Sequence, residues 1–215
     1  MYLVRDPLPG PAGGGRAVTG ILPDPTIRII VCGNADRGDD GAALVAVATL
    51  LPSLSRGLLN KIEVRRCLEL RVEDLVDVPP DVWCLILDAV VGAAPGEVVE
   101  LTLSELVERP EFTPRSSHQL PLEMVLGLAR VLRERPIQGS VIGLAGHGFG
   151  YGTPLSRVVR GAMPAYCQAI EAELRHLAVH ASTPEMHDET SVIATDAGEA
   201  TIRASRREGR PGSLA

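Results

Sequence analysis

Two adjacent carboxylates follow an apolar segment near the start of this chain, in a turn that is rich in glycine. Ile27–Cys32 has the composition of a buried β-strand, and Gly33 comes directly after it. Asp39 and Asp40 then stand where the next helix should begin. Open α/β sheets bind ligands beyond the carboxyl ends of their strands, so carboxylates here suggest a ligand site rather than packing.

The two aspartates need not share one role. A helix start favours Asp, both as a capping residue and through the helix dipole. Because one cap is enough, we interpret Asp39 as the cap and Asp40 as the residue that faces the cleft. A phosphate-binding loop is the alternative, but an acidic pair would repel the phosphate. Neither Gly-x-Gly-x-x-Gly nor Gly-Lys-Ser is found here.

A second acidic position follows another apolar run. Asp88 comes after Trp83–Leu87, where we expect the chain to leave the sheet. An Asp that bonds nearby loop amides is the structural alternative. If this strand neighbours the first one, Asp88 and Asp40 lie on the same rim.

A histidine offers a third candidate ligand. His118 follows Ser116 and Ser117 and precedes a predicted helix. A lone histidine is often a plain loop residue, and that alternative stays open. Two aspartates and a histidine form an oxygen and nitrogen donor set that suits nickel or zinc.

Other chemistry-bearing patterns are weaker. His147 lies among four glycines between residues 146 and 152, which indicates a mobile loop or a close backbone approach. No Gly-x-Ser-x-Gly elbow and no reactive Cys–His pair is found, so a covalent nucleophile is disfavoured. Metal-assisted hydrolysis, or a binding module using the same rim, remains.

Short β-rich runs alternate with amphipathic segments, which predicts a mostly parallel, three-layer α/β sheet. Val98–Leu101 follows its predecessor through a short turn, which favours an antiparallel edge strand. Pro164 is expected to kink or split the last helix. We predict strands at 27–32, 62–67, 82–87, 98–101 and 140–144, and helices at 40–51, 72–76, 120–133 and 155–177.

The helical segments carry apolar faces. In the third, one face holds Met124, Leu128 and Val131, with Val125 and Leu132 beside it. The last segment repeats the pattern with Val159, Met163, Tyr166, Ile170 and Leu174.

Composition limits the function classes. The 215 residues are 45% hydrophobic but only 3% aromatic, so the core must be aliphatic, as in sheets covered on both faces. A net charge of −6 argues against nucleic-acid binding, and no apolar run is long enough to cross a bilayer. We expect a cytoplasmic monomer that binds neither nucleic acid nor membrane. Four widely spaced cysteines are interpreted as reduced and mostly buried.

The chain divides into three parts. Residues 1–25 are rich in Gly and Pro and are expected to form a flexible extension. Residues 26–180 form the predicted α/β domain. Residues 181–215 lack apolar periodicity, so we expect a disordered tail.

At these residues the chain resembles the hydrogenase maturation endopeptidases, which trim the large subunit of nickel–iron hydrogenases. The family motif Gly-Asn-x-x-x-Gly-Asp-Asp-Gly matches Gly33 to Gly41. An Asp-Ala pair matches Asp88 and Ala89, and a Ser-x-His block before a helix matches Ser116 to Pro121. A late Gly-x-x-Leu-Ser-x-x-Val pattern matches Gly152 to Val159.

The resemblance implies a twisted five-stranded sheet between helices, and an endopeptidase of the aspartic or metal-assisted kind. Its metal ligands, which are also its catalytic residues, would be Asp40, Asp88 and His118. The implied partner is a large-subunit precursor that already carries nickel. Nickel therefore comes from the substrate, and no permanently bound cofactor is expected. The peptidase removes a C-terminal peptide from that precursor.

Two other hypotheses stay open. A non-catalytic maturation chaperone would sense nickel through these ligands and cut nothing. A nucleotide-binding α/β protein would be stabilised by a nucleotide rather than by a metal. Fold class alone does not decide between them.

Overall fold

The computed structural model describes residues 24–108, 115–116, 121–133 and 135–181, with backbone alone at 115–116. His118 lies outside the described residues, as does almost all of the predicted extension and tail. No helix in the described ranges is long and apolar enough to span a bilayer. The strands are β1 (Ile27–Cys32), β2 (Ile62–Cys67), β3 (Trp83–Val91), β4 (Val98–Thr102), β5 (Arg115–Ser116) and β6 (Gly139–Ala145). The helices are α1 (Ala42–Leu50), α2 (Arg56–Leu59), α3 (Val72–Val76), α4 (Leu103–Glu108), α5 (Leu122–Leu132) and α6 (Arg157–His180).

Five strands form the main path of the sheet, in the order β2-β1-β3-β6-β4. The first four are parallel to their neighbours, whereas β4 runs antiparallel to β6 at the edge. The two-residue β5 pairs antiparallel with the end of β3. The predicted mostly parallel α/β sheet, its antiparallel edge strand and the adjacency of β1 and β3 are confirmed.

Strand β1 lies between β2 and β3, and every one of its six residues is buried. Its side chains alternate between two apolar layers. Ile27, Ile29 and Val31 belong to the layer that α1 and α6 cover. Ile30 and Cys32 belong to the layer formed with α3, α4 and α5. The aliphatic core expected from the composition therefore fills both faces of the sheet.

Strand β3 is longer than predicted. It continues to Val91 because β6 pairs with it as far as Val90, and β5 pairs with its last two residues. The expectation that the chain leaves the sheet at Asp88 is therefore wrong. Val31 pairs with Leu87, so Asp88 is level with Cys32, the last residue of β1.

Two helix predictions need correction. In α5 the packed side chains are those of Val125, Leu126 and Ala129, whereas Met124 and Leu128 are exposed. Of the predicted apolar face, only Val125 is therefore in the core. The α5 sequence has two apolar stripes, either of which could pack. The stripe that contains Val125, Leu126 and Ala129 is buried because it contacts α3 and α4.

Helix α6 runs from Arg157 to His180 as one element that includes Pro164, so the predicted split is wrong. Pro164 lacks the N–H that would bond to Arg160 O, and both residues are on the exposed side of the helix. Val159 and Tyr166 pack into the core on either side of the proline, which holds the helix together across it. The predicted apolar face of this helix is confirmed.

Candidate active site

The turn after β1 is compact because glycines allow its backbone to fold onto itself. Gly33 has a φ of 127°, and a Cβ there would collide with the Asp40 carbonyl oxygen. Gly38 has a φ of 57°, and its Cβ would lie 2.6 Å from Gly148 O. Side chains rarely adopt such φ values, so both positions require glycine. These contacts fix the turn, and with it the backbone of Asp40.

Asp40 lies in a short 3-10 turn, Gly38–Gly41, which contacts β3 and leads into α1. Its side chain is fully buried. The Asn34 N–H donates to Asp40 Oδ2 at 3.1 Å, and Arg37 Nη1 lies 4.0 Å from the same oxygen. A buried carboxylate requires such partners, because losing water without them is costly. The turn therefore orients this carboxylate through its own backbone and one cation.

Arg37 was not anticipated from the sequence. Its guanidinium lies 5.2 Å from the centre of the exposed Tyr151 ring, a cation–π arrangement. Its Nε is buried without a hydrogen-bond partner, and its backbone forms a β-bridge with Thr153. The sequence did offer one indication of this contact, because Arg37 precedes Asp40 by three positions in the same turn. Arg37 thus joins the acidic turn to residues more than 100 positions later.

Asp88 is almost completely buried within β3. Its Oδ1 accepts a hydrogen bond from the Ala89 N–H at 2.7 Å. By strand alternation its side chain belongs to the same face as Cys84 and Ile86, which α3, α4 and α5 cover. Asp88 therefore lies beside the carboxyl end of β1, on the face of the sheet that α3, α4 and α5 cover.

The two aspartates therefore lie at the same edge of the sheet, where β1 ends and the acidic turn begins. Ser116 pairs with Val90, two residues after Asp88, and His118 follows Ser116 by two positions in the sequence. No group of three metal-binding side chains occurs within the described ranges, from which His118 is missing. Its assignment as the third ligand stays a prediction.

Asp39 does not cap the helix that follows it. The turn and α1 both lack a side-chain cap, so the capping interpretation is wrong. Asp39 Oδ2 accepts the N–H groups of His147 and Gly148 at 2.8 and 2.9 Å, and Oδ1 accepts that of Ser156 at 2.6 Å. Burial alone would raise the pKa of Asp39, but these three hydrogen bonds outweigh it and hold the pKa below its usual value.

Comparisons with known proteins find similarity to hydrogenase maturation proteases. The family model for hydrogenase maturation protease, HycI, matches residues 79–173. A solved structure of the [NiFe] hydrogenase maturation protease HybD from Thermococcus kodakarensis is 25% identical. It aligns with 68% of this chain and 97% of its own, with a TM-score of 0.52. This chain is therefore similar to the hydrogenase maturation proteases, in sequence over residues 79–173 and in fold over 68% of its length.

Further solved structures share the fold. The hydrogenase maturating endopeptidase HybD from E. coli is 23% identical, with a TM-score of 0.57, over 70% of this chain and 92% of its own. HycI from Thermococcus kodakarensis KOD1 is 20% identical, with a TM-score of 0.51, over 70% and 93%. No curated protein sequence matches. The span matched by the family model includes Asp88 and the glycine-rich segment but begins after Asp40.

The glycine-rich segment, residues 146–152, approaches the acidic turn through its backbone. The Asp39 N–H donates to Gly148 O at 2.9 Å, and the Gly152 N–H donates to Asp36 O at 2.7 Å. The glycines thus allow a close approach of the backbone to the acidic turn of the same chain. The imidazole of His147 is exposed, and its backbone N–H is the group that binds Asp39.

The four cysteines are free thiols in the structure. Burial raises the pKa of Cys84 to about 12, which leaves it a neutral core residue. Cys32 and Cys67 end the adjacent strands β1 and β2, and their sulfur atoms are 3.2 Å apart. The hydrogen bond to Cys67, reinforced by burial and by the charge of Asp88, raises the pKa of Cys32.

Proposed function

We propose that this protein is a metal-dependent endopeptidase that removes the C-terminal peptide from a nickel-loaded hydrogenase large-subunit precursor. The nickel belongs to the precursor and is the feature by which the enzyme recognises it. The observation that carries the proposal is the pair of buried carboxylates, Asp40 and Asp88, at one edge of the sheet in a chain that matches the hydrogenase maturation protease model over residues 79–173.

The donor chemistry supports nickel as the recognised ion. Asp40 and Asp88 would bind it through carboxylate oxygens, and His118 would add an imidazole nitrogen. Such mixed oxygen and nitrogen sets suit borderline divalent metals. Backbone N–H groups of Asn34 and Ala89 already orient the two carboxylates, as the supporting hydrogen bonds of metal ligands do.

The chain's own residues would then position the substrate. A bound metal can polarise a carbonyl or lower the pKa of a water molecule. Asp40 and Asp88 would hold the precursor's metal centre so that the peptide to be cut lies over the rim. Asp39 holds the glycine-rich segment and the start of α6 beside the acidic turn, because its carboxylate accepts the backbone N–H groups of residues 147, 148 and 156. Arg37 would balance part of the negative charge beside Asp40.

Processing of a nickel-loaded precursor by the purified protein tests the proposal. We expect the precursor to lose a C-terminal peptide, with a matching fall in its intact mass. Asp40→Asn removes one ligand charge with little change in shape and should slow processing by about 100-fold or more, a loss typical of metal-site residues.

Asp36→Asn is the matched control. Asp36 is an exposed carboxylate in the same turn, so the same chemical change there should leave the rate near that of the parent protein. A precursor whose mass stays unchanged would instead identify the protein as a non-catalytic chaperone. Equal processing by the Asp40→Asn and parent proteins would reject the assigned site.

A further inference from the structure

The sulfur atoms of Cys32 and Cys67 lie 3.2 Å apart. Both cysteines are the last residues of their strands and are register partners in the parallel β1–β2 ladder. Neighbouring strands lie about 4.8 Å apart, which is within the Cα separation that a disulfide tolerates. The sulfur atoms would need to approach by only about 1 Å to reach bonding distance.

The other two cysteines lack such a partner. Cys84 is paired in register with Arg28 and Gly139, and the Cys167 thiol points to the Ala46 carbonyl oxygen at 3.9 Å. The juxtaposition is therefore specific to Cys32 and Cys67 within the described part of the chain.

Access to the pair is unequal. Cys32 is fully buried, whereas Cys67 is half-buried and precedes the exposed Leu68. An oxidant in solution therefore reaches Cys67 first, and Cys32 lies behind it as the second thiol.

We propose that Cys32 and Cys67 are an oxidation site that forms an intramolecular disulfide with a peroxide as the oxidant. Hydrogen peroxide first converts the Cys67 thiol to a sulfenic acid and releases one water. The Cys32 sulfur then bonds to the Cys67 sulfur, and a second water leaves. Two thiols and one peroxide thus give one disulfide and two waters, with each sulfur losing one electron.

The position of this bond gives it a local consequence. Gly33 follows Cys32 directly, and its N–H donates to the Cys67 carbonyl oxygen at 3.2 Å. The next residue, Asn34, binds the Asp40 carboxylate. The disulfide would therefore form at the base of the acidic turn. Its formation does not depend on the proposed function.

Peptide mapping of the full-length protein tests the proposal. The reduced protein is treated with hydrogen peroxide, blocked with an alkylating agent and digested with trypsin without reduction. We expect the peptide Ile29–Arg37 to be joined to the peptide Cys67–Arg71. Two of the four thiols should be lost, in a protein that still migrates as a single chain, and dithiothreitol should restore them.

Single cysteine variants provide the controls. Cys67→Ser, a change at a half-buried position, should abolish the joined peptide and keep Cys32 reduced. Cys167→Ser removes another half-buried thiol and should leave the joined peptide at the parent level. The proposal is overturned if the oxidised parent protein keeps all four thiols. Further oxidation of Cys67 without a link, a link to Cys84 or Cys167, or a link found only between two chains would also overturn it.

Discussion

The two ends of strand β1 bury charge in different ways. At the amino end, Arg28 is almost completely buried and donates to Glu63 Oε2 at 2.8 Å and to Asp77 O at 2.8 Å. Arg65 also contacts Glu63 and Asp77, at 3.2 and 2.6 Å. These four ionised groups sum to zero. Every charge there is matched by one of opposite sign on β2 or just after α3.

The carboxyl end is organised around carboxylates. Asp39, Asp40 and Asp88 lie there with Arg37, so acidic side chains outnumber basic ones by three to one among these four residues. Backbone N–H groups hold each of the three carboxylates. The comparison shows that one end of β1 uses buried charge to join strands, whereas the other maintains an excess of negative charge suited to a cation.

The largest stability effect should come from the amino end. Glu63→Ala removes the partner of a buried guanidinium, and breaking a buried ion pair in this way costs about 3 kcal/mol of unfolding free energy. Urea denaturation measures it. The exposed Glu73 provides a matched control, and Glu73→Ala should change the unfolding free energy by less than about 0.5 kcal/mol.

Urea denaturation of the Asp88→Asn variant compares the carboxyl end of β1 with the amino end. A residue kept for ligand binding is often not optimal for stability, so this variant should stay within about 1 kcal/mol of the parent protein. A loss at Asp88 as large as that at Glu63 would contradict the comparison.

A smaller loss is expected in the acidic turn itself. Gly38→Ala places a Cβ in a left-handed backbone and 2.6 Å from Gly148 O, which should cost about 2 kcal/mol. Gly127→Ala should have the opposite effect on stability, because Gly127 lies in α5 and a Cβ added there would meet no atom within 4 Å. Alanine there should raise the unfolding free energy by about 0.5–1 kcal/mol. Equal responses at both positions in thermal denaturation would show that the turn is not tightly packed.

The smallest effect should depend on pH. The lowered pKa of Asp39 means that its carboxylate contributes stability above its unfolded pKa of about 4, and that this contribution is lost as pH falls through the folded pKa. Asp39→Asn keeps the shape but removes the charge, so it should cost about 1.5 kcal/mol near pH 7. The gap between the two proteins should close under acid conditions. A gap that stays constant in urea titrations from neutral to acid pH would refute this role.

Some strand bounds and the two candidate aspartates could be predicted from the sequence. The bounds of β1 matched the prediction because a mainly apolar, β-branched run ends at Gly33. The bounds of β2 also matched the prediction. Asp40 and Asp88 stood out because each follows a buried strand segment. Pairing with β5 and β6 extended β3 beyond Asp88, which its own residues do not reveal.

The interactions missed from the sequence are those made over long distances. Asp39 suits a helix start, and only the folded chain shows that its partners lie at residues 147, 148 and 156. Arg37 contacts Tyr151 through the same close approach. In α5, local periodicity could not tell which of two apolar stripes faces the sheet.

Anomalous diffraction from a crystal soaked in nickel tests the central claim most directly. We expect one nickel peak bonded to carboxylate oxygens of both Asp40 and Asp88, at about 2.0–2.2 Å, a distance typical of first-row divalent ions, with His118 as a third ligand. The peak should disappear in Asp40→Asn crystals and persist in Asp36→Asn crystals. The assignment of Asp40 and Asp88 as ligands of one nickel ion would be contradicted if nickel bound only elsewhere. It would also be contradicted if the two carboxylates lay too far apart to share one ion.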